Sequence, residues 1–92
     1  MRRESVEIYS DETNRSVMRH PGRKFPGVLV QGDTLYSLCK AADEACEAAR
    51  KARCDEASDE LNAVRNQHWS LVNHYKSVLH EHGFQLPFSE AP

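Results

Sequence analysis

Apolar positions recur every second residue in the first third of the chain and every third or fourth residue in the rest. Residues 5–9, Ser-Val-Glu-Ile-Tyr, alternate small or polar with apolar side chains, the period-two signature of a half-buried strand, with Val6 and Ile8 on an inner face. The polar, turn-prone residues 10–14 follow, and residues 15–20 read as a second strand with Val17 or Met18 inward, so a hairpin joins the two. Pro21 and Pro26 cannot donate ladder hydrogen bonds and Gly22 and Gly27 relax the backbone, which makes residues 20–27 a loop with a basic rim. Val28-Leu29-Val30-Gln31 is a short apolar run expected in the middle of a sheet, and Gly32 ends it.

Asp33 or Thr34 can cap a helix, because a short side-chain oxygen there accepts from an orphan N–H. Leu35, Leu38, Ala42, Ala45, Ala49 and Ala52 then follow 3-4 spacing, with Cys39 and Cys46 flanking, and Lys40–Glu44 and Glu47–Lys51 are expected as i,i+4 pairs. The pattern loses phase near Cys54, and Asp55 or Ser58 can cap a second helix. That helix carries Leu61, Val64, His68, Leu71, Tyr75, Val78 and His82 at 3-4 spacing, and Gly83 is the expected C-terminal cap, with a stop at Pro87. A short connection between matched stripes predicts an antiparallel helix pair. The expected fold class is therefore α+β: a three-stranded antiparallel sheet followed by a two-helix hairpin, β-β-β-α-α. A single domain over 1–92 would comprise a sheet part (1–31), helices over 33–53 and 56–82, and a tail (84–92) that either adds a strand or docks on a partner.

Ninety-two residues bury a thin core, and 39% hydrophobic with 28% charged residues suits a globular, helix-rich chain in which association is expected. No run approaches the roughly 18 apolar residues of a membrane span, and the first residues lack the apolar segment of a signal peptide, so the expected compartment is cytoplasmic. Cys39, Cys46 and Cys54 are odd in number. Seven helical residues separate the first two by about 10 Å, too far for a disulfide, and all three read as small buried hydrophobes. Residues 1–26 carry six Arg or Lys against four acids and residues 27–92 carry six against ten, a weak dipole rather than the basic stripe of a dedicated nucleic-acid binder.

At residues 26–35, Pro-Gly-Val-Leu-Val-Gln-Gly-Asp-Thr-Leu, the chain resembles the HicB antitoxin family, which carries a Pro-Gly, a short strand, a Gln-Gly-Asp-Thr-Leu and an alanine-rich helix; Ala42, Glu44, Ala45 and a late Leu86-Pro87 continue the likeness. The resemblance implies a three-stranded antiparallel sheet backed by a helix and a role in binding a protein. The chain departs from that family where a fourth strand would return, running into a second long helix instead. It also looks like a bacterial family of small proteins of unknown function with an Arg-His-Pro-Gly-Arg and a Phe-Pro-Gly.

No constellation for catalysis is visible. Cys46 lies in an alanine stripe, and neither a Gly-x-Ser-x-Gly nor a phosphate-cradling Gly-rich loop is present. His68, His74 and His80 are six apart and scatter around a helix instead of forming a ligand face. The reading is of a protein without catalytic residues, metal or cofactor. Arg15, Arg19, His20, Arg23 and Lys24 form a run without acids, which is either a solvated sheet face or a surface for an acidic protein or, less favoured by the acidic helices, nucleic-acid phosphates. Trp69, Val72 and Leu79, with Tyr75 close by, lie off the main stripe of the second helix; they either cover the sheet or bury against a second copy or a partner. The expected function is a small binding protein, antitoxin-like or immunity-like, that docks on another protein such as a toxin or effector. A nucleic-acid-binding regulator and a structural homodimer are the alternatives.

Overall fold

A computed structural model describes residues 1–90. Its elements are strands β1 (Glu7–Ser10), β2 (Arg15–Arg19) and β3 (Gly27–Val30), then helices α1 (Gly32–Lys51) and α2 (Asp55–Glu81). The chain is α+β, with the element order that the hydrophobic pattern predicts. It divides into two compact units, Met1–Gln31 and Gly32–Pro92, at the point where period two gives way to the helical period. The last two residues of the expected tail, 91 and 92, lie outside the described residues.

The first unit is an antiparallel meander in the order β1-β2-β3. Two hairpins in succession put β2 in the centre, so the apolar β3 is an edge strand and not the middle strand its composition favours. Arg15, Ser16, Val17 and Met18 face Val30, Leu29, Val28 and Gly27. On the other side Glu7 faces Arg19 and Ile8 faces Met18; Tyr9 is then an extra residue before Ser10 faces Val17. That bulge twists the edge strand. The expected inner face of Val6 and Ile8 is not formed: Ile8 is 57% exposed and Val6 is also exposed. The buried residue is instead Ser16, whose Oγ donates to the Glu12 carbonyl at 3.1 Å and to Asp11 Oδ1 at 3.3 Å, tying down the β1–β2 turn.

The second unit is an antiparallel helical hairpin. α1 starts one residue before the expected cap: Gly32 is its first residue, and Asp33, inside the first turn, accepts from the Thr34 N–H at 2.9 Å. Glycine is required at 32, because a Cβ there would sit 2.2 Å from the Tyr75 ring of α2. α1 ends with Arg53 in the left-handed region at φ 56°, the Arg53 N–H donating to the Arg50 carbonyl and the Cys54 N–H to that of Ala49, both at 3.1 Å. This is a Schellman motif with arginine where glycine is usual. α2 lacks a side-chain cap at Cys54, with Asp55 and Glu56 in its first turn complementing the helix dipole. It closes with the same motif around Gly83 at φ 74°, the expected glycine, with Phe84 N–H donating to Leu79 at 2.9 Å.

Cys39 on α1 and Val72 on α2 are fully buried and mark the line where the helices meet. The expected stripes are thus rotated from the true seam. Leu38, Val64, Leu71 and Val78 are exposed, whereas Val72, half-buried Trp69 and half-buried Leu79 pack inside. Cys46 is half-buried and Cys54 is exposed, so only Cys39 fits the reading of a buried hydrophobe. Lys40 and Glu44 form no ion pair among the described residues, while Glu47 pairs with Arg50 at 2.5 Å and with Lys51 at 4.0 Å. Among the described residues the tail adds no strand: Phe88 stacks on Tyr36, centroids 4.1 Å apart and 3° from parallel, and Glu90 pairs with Lys76.

Candidate binding site

The loop between β2 and β3 begins with a tight turn. His20-Pro21-Gly22-Arg23 has proline at its second position, Gly22 at φ 81° at its third, and the Arg23 N–H donating to the His20 carbonyl at 3.1 Å, the signature of a type II turn. His20 Nδ1–H also donates to the Pro21 carbonyl at 2.8 Å. This rigid reversal throws Arg23, Lys24 and Phe25 outward beside β3. Met18, His20, Arg23, Lys24, Phe25, Gly27, Val28 and Leu29 line an open depression of about 570 Å³ there. The lining contains no acid. Phe25 is 72% exposed and Val28 61% exposed, and the Lys24 ammonium stands 5.4 Å from the centre of the Phe25 ring, a cation–π contact. Arg23 and Lys24 have no ion-pair partner among the described residues.

The basic run therefore divides. His20, Arg23 and Lys24 share the depression, while Arg15 and Arg19 are engaged elsewhere. Arg15 pairs with Glu12 at 3.2 Å, and Arg19 pairs across the sheet with Glu7. The run lacks acids in sequence, but strand register brings Glu7 opposite Arg19. Glu7 also accepts from the Tyr9 hydroxyl. The Arg19 guanidinium, followed by that hydroxyl, holds the Glu7 carboxyl below its ordinary 4.5, and the same contact holds Tyr9 above its ordinary 10.

Trp69, Val72, Tyr75 and Leu79 belong to the hairpin. Trp69 Nε1–H donates to Asp43 Oδ1 at 2.9 Å and its ring meets Tyr36 edge-on, centroids 5.9 Å apart at 86°. Tyr75 covers Gly32. Val72 is fully buried and Trp69, Tyr75 and Leu79 are half-buried, so within this chain the four side chains are turned into the hairpin instead of forming an open patch. The lining residues Met18, Phe25, Val28 and Leu29 escaped the sequence reading. Their signal is an uncharged strand next to a Pro-Gly, which becomes an exposed edge only once strand order is known. Among the described residues no three His, Cys, Asp or Glu side chains converge as a metal site, and no helix is long and apolar enough to cross a membrane.

Residues 1–88 match the model of a family of unknown function, DUF6959. The chain belongs to that family. The DUF6959 match spans both compact units, from the N-terminal strands to Phe88, whose ring stacks on α1. No curated protein and no solved structure matches the chain.

Proposed function

We propose that the chain is a small non-catalytic protein-binding protein, acting in the antitoxin-like or immunity-like manner that its HicB-like segment implies, by docking on a partner protein and blocking it. The observation that carries this reading is the depression beside β3. It joins two unpaired cations, an exposed phenylalanine and the apolar side chains of an edge strand, a combination suited to an acidic partner with apolar anchors. Exposed aromatic and arginine side chains are the residue types that dominate binding energy in protein interfaces, and an unpaired strand edge supplies backbone donors and acceptors for a partner strand.

The test compares capture from the source cell by the native chain and by an Arg23→Glu/Lys24→Glu variant, with quantitative mass spectrometry. A protein recovered by the native chain should fall at least about tenfold with the variant, since reversing two rim charges sets like charges against the partner. Recovery of no protein at low salt, or equal recovery by both, overturns the proposal.

Phe25 beside Lys24 supports a second reading, single-stranded nucleic acid, because a base stacks on an aromatic ring while cations hold phosphates. With Arg23 and Lys24 as the two free cations of the loop, the logarithm of affinity should fall against the logarithm of salt with a slope of about −1.5. A gel-shift titration showing no binding, or binding indifferent to salt, removes this alternative.

A further inference from the structure

We propose that one broad face of the α1–α2 hairpin is the interface with a second copy of this chain. The buried Cys39 and Val72 fix the line between the helices, and the Trp69–Asp43 hydrogen bond with the Tyr36–Trp69 contact lies to one side of it. At 100° per residue, Leu38 stands about 100° round from Cys39, and Leu71 the same angle from Val72, both away from that side. The two stripes read from the sequence therefore do not face each other. They turn toward a common outer face, on which Leu38 is 48% and Leu71 59% exposed, with Val64 and Val78 exposed as well.

Three features assign that face to another copy. First, at that rotation α1 presents Leu38, Ala45 and Ala49 and α2 presents Val64, Leu71 and Val78, with the acid Glu60 at the end of the face one turn before Val64, and an uncharged centre with charge at the margin is the pattern of interfaces. Second, Val64 and Val78 stand seven residues either side of Leu71, so an antiparallel second α2 sets Leu71 near its own counterpart and Val64 near Val78 of the second copy. Such self-complementarity is what a two-fold interface demands. Third, α1 is 20 residues long, hence about 30 Å, and a helix pair is roughly 20 Å wide, so the face offers about 600 Å² per copy and about 1,200 Å² in all, which reaches the size of specific interfaces. Ala45 and Ala49, on the same side of α1 as Leu38, let a second hairpin approach closely, and the product is a four-helix bundle.

The test is molar mass by light scattering, with far-ultraviolet circular dichroism, on the full chain and on Leu71→Glu, Leu38→Glu and Val28→Lys variants. The native chain should show twice its monomer mass. Leu71→Glu and Leu38→Glu should each raise the dimer dissociation constant at least about tenfold with helicity unchanged. Val28→Lys, at the strand edge, should leave the dimer intact. A native monomer at about 100 µM overturns the proposal. So does a dimer that survives both glutamates, one lost through Val28→Lys alone, or a loss of helicity in both glutamate variants, which would make those leucines part of the hairpin's own core.

Discussion

Two backbone positions in the hairpin have opposite requirements, and substitutions there should move stability in opposite directions. At Gly32 a methyl group would collide with the Tyr75 ring, and overpacking of this kind costs about 1–3 kcal/mol. Gly32→Ala should therefore lower the denaturation midpoint in urea by the corresponding amount, although alanine is the better helix former. Arg53 occupies a left-handed conformation in which a Cβ is penalised. Arg53→Gly removes that penalty, less the greater freedom glycine has in the unfolded chain, and should stabilise by about 0.5–1 kcal/mol. The same melts measure both, and a destabilised Arg53→Gly would show that the arginine side chain holds more than the backbone loses.

Among the elements, the β1–β2 hairpin carries a titratable tie. Glu7 joins Arg19 and Tyr9 on one sheet face, and its carboxyl titrates below the ordinary 4.5. A depressed acid stabilises the folded hairpin fully above the ordinary value, and that contribution disappears as pH falls through the lowered one. Protection of the β1–β2 amides from hydrogen exchange should thus be flat near neutrality and decline below about pH 4.5, and Glu7→Gln should flatten the decline. If Glu7→Gln declines like the native hairpin, other carboxyls set the acid limit. This tie also shows where sequence reading stops. The existence, order and type of all five elements are legible, because alternation and 3-4 spacing are local. Pairing of Glu7 with Arg19 is a matter of register and turn length, so the basic run looks freer than it is. In the hairpin, Cys39 and Val72 mark the seam with Trp69 and Leu79 half-buried beside them, while Leu38, Val64, Leu71 and Val78, which dominate the pattern, point outward. Of the candidate site, His20, Arg23 and Lys24 were legible as a basic turn, while Phe25, Val28 and Leu29 became part of it only through strand order.

For the molecule as a whole, full burial of hydrophobic side chains among the described residues is confined to Cys39 and Val72. The three cysteines therefore sample three depths, with Cys54 exposed, Cys46 half-buried and Cys39 enclosed. Burial pushes the Cys39 thiol up from its ordinary 9, and the nearby Asp43 carboxylate acts in the same direction. Alkylation requires a thiolate in contact with reagent, so Cys54 should react first, Cys46 more slowly, and Cys39 only when the hairpin opens. Its rate then reports the opening free energy of the second unit. Val72→Ala removes two buried carbons from the opposite side of the seam and should cost about 2 kcal/mol, speeding Cys39 alkylation roughly 30-fold while leaving Cys54 unchanged. Mass spectrometry of the labelled peptides separates the three sites. Equal acceleration at Cys54 would mean that the loop around residues 52–54, and not the seam, controls access.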